Sequence, residues 1–568
     1  MRVTTPGVER AGEPFSFSFD GQAVEAWPGE SLAAALTSAG VFSMREARDG
    51  SRRGLFCGMG VCGECSVIVD GVQRRSCLEP AQPGLKVATM PPRAPVDLAA
   101  EAPSAPADEL TPDVLVIGAG PGGLAAARAA ASAGLDVLLV DERVKAGGQY
   151  FKQPGEGMRL GDALDAQFVE GRELIESAKA AGAKLLPGAT VWGAFGPDDV
   201  AVVADGRRLR IRAKRVILSP GAYERAHPVP GWTLPGVMTT GAAQTLLRAY
   251  QTSPGQRVLI AGNGPLNLQV ARELTRAGVA VVAVAEQAAM PGPGDALDLA
   301  RMAVNAPGLV VDGVGHVAAL ALAGVSIRYR HVLTRVEGEG KAQRAAIARV
   351  GDDGRIVAGS ERWFDIDAVC LGYGFLPQSE IGRALGCAYD VTPAGLVAQR
   401  DDEARSSVPE VFIVGDAGGL GGARVALALG TLAGTAAARD LGKTPADTGA
   451  VKRLLARHRS FQAALWRVYR PVELTQDLTA PDTLLCRCES VDRATVDSLL
   501  DDGLGTLSSV KKACRIGMGR CQGRYCGPVV AARIAGRTGK PIEADAWFAP
   551  RTPFKPIDAR LLAGDDPA

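Results

Sequence analysis

Residues 114–143, VLVIGAGPGGLAAARAAASAGLDVLLVDER, read as a buried strand, a tight glycine turn, a helix of small residues and a second strand. Gly118, Gly120 and Gly123 form G-x-G-x-x-G directly after the first strand. In this setting the first glycine makes the turn, the second admits a pyrophosphate and the third lets the helix pack on the strand. Asp141 closes the second strand, where an acid accepts ribose hydroxyls. The stretch therefore predicts a dinucleotide-binding unit in an α/β fold.

The pattern recurs at 257–287, RVLIAGNGPLNLQVARELTRAGVAVVAVAEQ. Gly262, Gly264 and Glu286 stand at corresponding positions, but Asn267 replaces the third glycine, which we expect to push helix and strand apart. Glu286 would favour NAD over NADP, because a 2′-phosphate would meet like charge. Two interpretations stay open here: a possible site for NAD or another nucleotide, and a retained scaffold that binds no pyridine nucleotide.

Two further stretches favour FAD as the ligand of the first unit. The stretch 411–430, VFIVGDAGGLGGARVALALG, looks like the late flavoprotein motif in which an Asp contacts the ribityl–phosphate region before a helix. Gly415 and Asp416 are the candidate FAD residues in it. The stretch 216–225, VILSPGAYER, resembles the middle strand of flavoproteins that have two dinucleotide-binding domains.

Four cysteines near the N-terminus, Cys57, Cys62, Cys65 and Cys77, have the spacing C-x4-C-x2-C-x11-C. The first three match the plant-type [2Fe–2S] loop, in which a more distant Cys completes the ligand set. The intervening glycines allow a tight loop whose N–H groups face the sulfurs. Zinc, which usually takes C-x2-C pairs, and idle core thiols are the alternatives. We predict a first [2Fe–2S] cluster.

A second group, Cys486, Cys488, Cys521 and Cys526, has the spacing C-x-C-x32-C-x4-C. This spacing resembles that of bacterioferritin-associated-ferredoxin-type [2Fe–2S] domains, in which two loops of a helical fold meet over one cluster. Ser490 is a candidate N-cap for the helix that follows the first pair, and a second helix follows Cys526. Cys514 is either a spare buried thiol or a replacement for one of the four ligands, and zinc remains the alternative metal.

The bulk composition limits the classes of function. The 568 residues are too many for one core, and a net charge of +1 gives no reason to expect nucleic acid or an anionic membrane surface as partner. We find no secretion signal and no apolar run of about 20 residues that could span a bilayer. We therefore expect a cytoplasmic protein, in which clustered cysteines indicate metal or redox chemistry rather than disulfides. Four histidines without ligand spacing argue against zinc hydrolase chemistry.

The predicted fold class is α/β: a flavoprotein with two dinucleotide-binding domains, an N-terminal α+β (β-grasp) ferredoxin-like domain and a C-terminal helical [2Fe–2S] domain. The linker prediction rests on a Pro-, Ala- and acid-rich stretch without periodicity. The predicted boundaries are 1–92 for the ferredoxin-like domain, 93–112 for the linker, 113–235 and 362–445 for the two parts of the FAD-binding domain, 236–361 for an inserted NAD-like domain, and 446–568 for the C-terminal helical segment.

Three stretches carry a resemblance to a known family: 227–247 (HPVPGWTLPGVMTTGAAQTLL), 367–381 (DAVCLGYGFLPQSEI) and 147–149 (GGQ), which adds Gly148 and Gln149 to the candidate FAD residues. They look like the FAD-containing alpha subunits of hetero-oligomeric amine and imino-acid dehydrogenases. That group includes opine, hydroxyproline and proline dehydrogenases, hydrogen cyanide synthase and sarcosine oxidase alpha. The similarity runs over nearly the whole chain, with the ferredoxin piece fused at the N-terminus.

The resemblance implies a second flavoprotein subunit, similar to D-amino acid oxidase, that oxidises a C–N bond. This chain would relay the electrons through FAD and two [2Fe–2S] clusters to an acceptor, which could be a quinone, a dye or a carrier protein. The sequence shows no nucleophile-plus-base pair or catalytic-loop motif of its own, so no catalytic residue is named. The alternative is a self-sufficient NAD(P)H-dependent flavin and iron–sulfur oxidoreductase.

Overall fold

The computed structural model describes residues 1–93, 107–161, 164–393, 395–544 and 547–562. In the N-terminal domain, the alternation of Phe17 and Phe19 with serines places the aromatic rings in the core of a mixed sheet. Ser31 caps the one helix packed on it, Leu32–Ser38, by accepting from the Ala34 N–H at 3.2 Å. The order of the sheet is Gln22–Ala26, Phe15–Phe19, Lys86–Thr89, Ser66–Val69 and Val72–Arg75. This mixture of strands and one helix agrees with the α+β domain predicted for residues 1–92.

Two short pairings extend from this domain. Arg45–Glu46 pairs with Arg52–Arg53 beside the first cysteine loop. Val8–Arg10 pairs with Met158–Leu160 and so ties the N-terminus to the nucleotide-binding part of the chain.

A parallel sheet forms the first nucleotide-binding domain. Its strands, in order, are Lys184–Leu186, Val137–Val140, Val114–Ile117, Arg215–Leu218 and Val411–Ile413. The helices Pro121–Ser132 and Gly422–Asp440 pack so closely that a Cβ on Gly430 would lie 2.0 Å from the Gly122 carbonyl oxygen. This contact brings the early and late flavoprotein motifs to one edge of the sheet.

The remaining elements of this domain lie around the parallel sheet. The second sheet has the order Thr190–Gly196, Asp199–Ala204, Arg207–Ile211 and Asp108–Leu110. The other elements are the helices Ala166–Ala180 and Glu380–Ala384, the hairpin Tyr389–Thr392 with Gly395–Ala398, and the 3-10 turn Gly415–Gly418. Of the predicted linker 93–112, residues 94–106 lie outside the described residues. Its last part is not a linker, because Asp108–Leu110 pairs in parallel with Arg207–Ile211.

The inserted domain has its own parallel sheet, in the order Val237–Thr239, Ala368–Gly372, Arg257–Gly262, Ala280–Glu286 and Ile327–Tyr329. Its other elements are the helices Thr240–Tyr250, Pro265–Arg276, Ala296–Asn305 and Pro307–Leu322, the 3-10 turn Pro293–Asp295, and the antiparallel sheet His331–Glu337, Arg344–Arg349 and Arg362–Asp365. The predicted end at residue 361 is therefore wrong. Ala368–Gly372 lies between Val237–Thr239 and Arg257–Gly262 in the inserted sheet. Its apolar sequence did not indicate to which of the two parallel sheets it belongs.

The chain re-enters the first domain through Phe375–Pro377, which pairs with Ala222–Glu224. The C-terminal segment then contains the helices Gly449–Val468, Arg493–Asp501, Leu507–Cys514, Cys526–Thr538 and Ala559–Leu562, with the strand pair Leu484–Cys486 and Val491–Asp492. No single helix in the described ranges combines the length and hydropathy needed to cross a membrane. The pair Pro293–Asn305 and Pro307–Leu322 meets that test only when taken together, and it is bent by 120°.

Candidate functional site: an FAD cavity beside two cysteine sites

The first glycine turn has the geometry that its sequence predicted. Gly118 has φ +104°, and a Cβ there would lie 2.2 Å from the Ser219 carbonyl oxygen. A Cβ on Gly123 would lie 1.8 Å from the Gly118 carbonyl oxygen, so only glycine lets the helix sit this close to the turn. At Gly120 the nearest atom to a Cβ is 3.9 Å away, which leaves the backbone open to a ligand. The turn thus has the shape of a pyrophosphate cradle.

Two acids hold the loops around this cradle. Asp141 accepts from the Ala119 N–H at 2.6 Å and from the Arg143 N–H at 2.7 Å, and burial raises the pKa of its carboxyl. Asp416 accepts from the N–H groups of Gly421 and Gly422, both at 2.9 Å, at the start of the helix Gly422–Asp440. Both carboxylates keep their loops in the conformation that a dinucleotide would meet.

These residues face one cavity of about 920 Å³. The predicted FAD residues on its wall are Gly118, Gly120, Asp141, Gly148, Gln149, Gly415 and Asp416. The first cysteine loop contributes Cys57, Met59 and Val61 to the same wall, and the second glycine turn contributes Gly264. The structure therefore brings the residues predicted for FAD together and places one cysteine of the first site beside them.

Sequence reasoning missed two buried charged residues of this cavity, Lys152 and Glu224. The Lys152 Nζ donates to the Gln149 carbonyl at 2.7 Å and to the Gln244 Oε1 at 2.8 Å. Burial, followed by the charge of Arg143, lowers the pKa of Lys152 to about 7, and burial raises the pKa of Glu224 to about 7. No motif marks either residue, because only the tertiary fold buries them; both are able to exchange protons near neutral pH.

The first cysteine site is a buried loop. Its four thiols, Cys57, Cys62, Cys65 and Cys77, are buried, and its three glycines, Gly58, Gly60 and Gly63, have φ between +59° and +73°. The Cys62 N–H points at the Cys57 Sγ at 3.4 Å, and the Glu64 N–H points at the Cys62 Sγ at the same distance. Although burial opposes it, hydrogen bonds led by that of the Cys62 thiol lower the pKa of Cys57 to about 6. Main-chain donors aimed at thiolates fit a [2Fe–2S] cluster.

The second cysteine site joins two distant loops. The Cys486 and Cys488 Sγ atoms are 3.8 Å apart, and the Cys488 and Cys521 Sγ atoms are 3.9 Å apart. These three and Cys526 line one narrow cavity, together with the hydroxyl-bearing Tyr525. No group of three or more His, Cys, Asp or Glu among the described residues is arranged to hold a single metal ion. The four thiols instead lie side by side on two loops that border the same narrow cavity.

Two details of the second site differ from, or extend, the prediction. Ser490 is not the N-cap, since Asp492 caps the helix Arg493–Asp501 by accepting from the Thr495 N–H, while Ser490 lies before it with φ +52°. The N-cap needs extended backbone, which Asp492 has and Ser490 lacks. The Cys514 thiol donates to the Val510 carbonyl within its own helix at 3.2 Å and does not line the cavity. This placement suits a spare thiol.

The second glycine turn is built differently from the first. Gly262 and Gly264 form the turn, and Glu286, fully buried, accepts from the N–H groups of Gly264 at 2.9 Å and Ala288 at 3.0 Å. The Asn267 side chain turns sideways, donating to the Gly372 carbonyl at 3.0 Å and accepting from the Thr240 hydroxyl at 3.0 Å. The Asn267 side chain therefore lies against Gly372 of the neighbouring strand. It fits there without the separation of helix and strand that the sequence led us to expect.

A crossing segment of the chain, residues 469–472, borders this turn. The Asn263 amide donates to the Tyr469 carbonyl at 2.9 Å, and the Gln287 amide donates to the Val472 carbonyl at 2.8 Å. Ala288 pairs with Pro471 as an isolated bridge. The segment leads from the helix Gly449–Val468 toward the second cysteine site, so it couples the inserted domain to the C-terminal segment.

Fold and site together define an oxidoreductase with an FAD-binding domain and an iron–sulfur domain. The chain belongs to the pyridine nucleotide-disulphide oxidoreductase family, whose model matches residues 112–430. Residues 12–92 match the 2Fe-2S iron-sulfur cluster binding domain. These matches support FAD and a [2Fe–2S] cluster as cofactors and confirm both predictions.

The chain is also similar to named components of larger enzymes. The opine oxidase A subunit of Rhizobium meliloti (strain 1021) is 34% identical over 469 residues, which cover 79% of this chain and 98% of the relative. Hydrogen cyanide synthase subunit HcnB of Pseudomonas protegens is 29% identical, covering 78% of this chain and 96% of the relative. The sarcosine oxidase alpha subunit of Corynebacterium sp. (strain P-1) is 28% identical over 80% of this chain, which spans 45% of that relative. The resemblance predicted from the sequence is confirmed.

One solved structure agrees in fold over almost the entire chain. The L-proline dehydrogenase from P. horikoshii superposes with a TM-score of 0.72 at 20% identity, covering 98% of each chain. The second cysteine site and the ligand of the second glycine turn remain predictions.

Proposed function

We propose that this chain is the electron-transfer subunit of an FAD-dependent amine or imino-acid dehydrogenase complex. It takes electrons from a partner flavoprotein subunit, similar to D-amino acid oxidase, and passes them through FAD and two [2Fe–2S] clusters to an acceptor. The relatives named as subunits of opine oxidase, hydrogen cyanide synthase and sarcosine oxidase support a partner subunit for this chain as well.

One observation carries the proposal: Cys57, a predicted cluster ligand, lines the same cavity as the predicted FAD residues. A flavin accepts two electrons together and releases them singly, whereas a [2Fe–2S] cluster carries one at a time. A cysteine ligand on the wall of a flavin cavity is the arrangement that such a conversion needs. The relay role follows from this adjacency rather than from either motif alone.

The chain's own residues have distinct tasks in this proposal. The N–H groups of the first glycine turn hold the pyrophosphate, Asp141 holds the ribose, and Asp416 orders the loop at the ribityl–phosphate region. Lys152 and Glu224, both buried at the cavity, are placed to exchange protons when the flavin changes charge. The two sets of four thiolates are Cys57, Cys62, Cys65, Cys77 and Cys486, Cys488, Cys521, Cys526.

A second candidate function is a self-sufficient NAD(P)H:acceptor oxidoreductase. It is favoured by the second glycine turn, since Asn263, Gly264 and Pro265 line the same large cavity as the FAD residues. In that case Gly262, Gly264 and Glu286 would hold NAD or another nucleotide, and electrons would enter at this turn.

Anaerobic titration of the isolated chain separates the two candidates. With NADH alone, or with a candidate amine alone, we expect the flavin absorbance to stay unchanged. With the amine and the partner subunit together, we expect it to bleach. Bleaching by NADH alone would overturn the first candidate and establish the second.

Metal analysis tests the cofactor assignment separately. Both sites filled as proposed give about four irons per chain and no zinc, because each [2Fe–2S] cluster takes four thiolates and two irons. Replacing Cys521 by Ser should then remove about two irons and leave FAD bound, since the FAD cavity does not include Cys521. Two irons and one zinc in the unmodified chain would show that the second site is a zinc site.

A further inference from the structure

The two cysteine sites are placed unequally with respect to FAD. Of the eight cysteines in these sites, all of them within the described residues, Cys57 alone lines the large FAD cavity. Cys62 lines the narrow cavity of the second site, together with Cys486, Cys488, Cys521 and Cys526. The first site therefore borders the predicted FAD cavity on one side and the second site on the other.

A buried ion pair between Glu64 and Arg487 joins the loops of the two cysteine sites. Glu64, 1% exposed, accepts from the Arg487 Nε at 3.0 Å and pairs with Arg45 on its other oxygen. Glu64 lies between the ligands Cys62 and Cys65, and Arg487 lies between Cys486 and Cys488. Each end of the pair is thus built into the ligand loop of a different site.

Aromatic rings close the contact against water. The Arg487 guanidinium lies 4.0 Å from the centroid of the Phe56 ring and 4.9 Å from that of Trp232. Phe56 meets Tyr525 edge to face with centroids 5.3 Å apart. The Tyr525 hydroxyl is buried and has no hydrogen-bond partner among the described residues, although its ring lines the narrow cavity with Cys62 and Cys521. A buried hydroxyl without a partner costs stability unless a ligand satisfies it.

We infer that electrons pass from FAD to the first cysteine site and from there to the second across the contact made by Cys62, Tyr525 and the Glu64–Arg487 pair, so that the second site is the exit. The inference rests on the proposed function and adds the order of the relay. For each two-electron oxidation, two electrons and two protons leave the flavin. The electrons travel singly, each reducing one ferric iron at the first site and then one at the second, before a one-electron acceptor of the dye or carrier type takes it. The protons go to water.

The contact itself is tested by electron paramagnetic resonance of the fully reduced, iron-loaded chain. We expect two cluster signals that broaden or split each other through magnetic interaction, and a single unsplit signal in Cys521→Ser. A chain with about four irons and two non-interacting signals would overturn the inference while leaving the proposed function intact. Fewer irons, or one reducible signal in the unmodified chain, would instead overturn the proposed function.

The order is tested by reducing the bound flavin with light and freezing samples at intervals. In Cys521→Ser, which lacks the second cluster, the first signal should still appear at the rate seen in the unmodified chain. In Cys62→Ser, which lacks the first, the flavin should be reduced while the second signal fails to appear. If the second signal forms in Cys62→Ser at the unmodified rate, FAD feeds the second site directly and the order is wrong.

Tyr525→Phe tests the contact without removing a ligand. The variant removes a hydroxyl that has no partner among the described protein atoms, so we expect it to fold and to keep both clusters. In the proposed contact, this hydroxyl donates to a cluster sulfur. Because such a hydrogen bond raises the reduction potential, we expect a lowered potential for at least one cluster in Tyr525→Phe. Tyr373→Phe is the matched control: Tyr373 is a buried tyrosine whose hydroxyl accepts from the Leu333 N–H, and it lines neither cavity. Unchanged potentials in Tyr525→Phe, or an equal shift in the control, would remove Tyr525 from the contact.

Discussion

The two glycine turns, 118–123 and 262–267, share a strand–turn–helix pattern but differ in how the third position is used. In the first turn, Gly123 leaves no room for a Cβ, which would lie 1.8 Å from the Gly118 carbonyl oxygen. In the second turn, Asn267 holds the same position and directs its amide to the Gly372 carbonyl and the Thr240 hydroxyl. The third residue of the first turn packs against the turn's own backbone, whereas the third residue of the second turn forms hydrogen bonds with a neighbouring strand and a neighbouring helix.

This difference shows what a glycine pattern predicts and what it does not. The pattern predicts the turn, because positive φ and close helix packing demand small residues wherever the turn occurs. The ligand is decided by what surrounds the turn. Around the first turn stand the late motif with Asp416 and the cysteine loop with Cys57. Beside the second runs the segment 469–472, bound to Asn263 and Gln287.

The largest effect should come from Gly123→Ala. Its Cβ cannot fit beside the Gly118 carbonyl, so the helix must move away from the turn, and overpacking of this kind costs about 3 kcal/mol. We expect FAD affinity to fall roughly 100-fold, measured as the flavin absorbance retained after gel filtration, since each factor of ten is about 1.4 kcal/mol. Gly134→Ala, just past the other end of the same helix, where φ is +82° and no atom lies within 4 Å of a Cβ, is the control and should keep FAD. An FAD content of Gly123→Ala equal to that of the control would contradict the assigned role of the first turn.

The fold was predictable wherever local pattern and tertiary structure agree. The strand Val114–Ile117, its glycine turn and the helix Pro121–Ser132 were all predictable, because a continuous apolar run, the glycine spacing and the small helix residues follow one another directly in the sequence. The partner of Ala368–Gly372 was not predictable. A short apolar strand fits either parallel sheet, and only the complete chain decides between them.

The candidate site divides in the same way. The glycines, Asp141 and the cysteines were predicted from spacing, because the residues of such motifs lie in groups along the sequence. Lys152, Glu224 and Tyr525 were missed, because each acquires its role from burial against residues far away in the chain. The contact of Glu64 with Arg487 joins residues 423 positions apart, and no single-sequence pattern reports such a pairing.

The acid of the second turn offers a sharper test, through pH. Burial raises the pKa of Glu286 to about 7 from its ordinary 4.5. The protonated form therefore contributes stability that is complete below pH 4.5 and is lost as pH rises through about 7. Between these limits the chain should lose about 3 kcal/mol of unfolding free energy relative to Glu286→Gln, as followed by thermal unfolding over a pH series. The exposed Glu9→Gln is the control and should parallel the unmodified chain. An unmodified chain that parallels Glu286→Gln across the series would show that Glu286 is ionised when folded.

Asn267→Gly restores the pattern of the first turn and should nevertheless destabilise the second. The change removes two buried hydrogen bonds and places glycine in the first turn of the helix Pro265–Arg276. We expect a loss of about 2 kcal/mol in unfolding free energy, measured calorimetrically, with FAD content unchanged. A stabilised variant would mean that Asn267 is merely tolerated there, and the contrast between the two turns would disappear.

The smallest effect should come from Gly264→Ala, the counterpart of the open position Gly120. No atom lies within 4 Å of a Cβ at Gly264, so the cost comes only from its backbone conformation, φ +102° with ψ 173°, which an L-residue adopts with a strain of about 1–2 kcal/mol. The midpoint of thermal unfolding should therefore fall slightly, while the FAD absorbance and both cluster signals stay unchanged. Any loss of FAD in Gly264→Ala would mean that the second turn contributes to the flavin site, and the two turns would then serve one ligand rather than two.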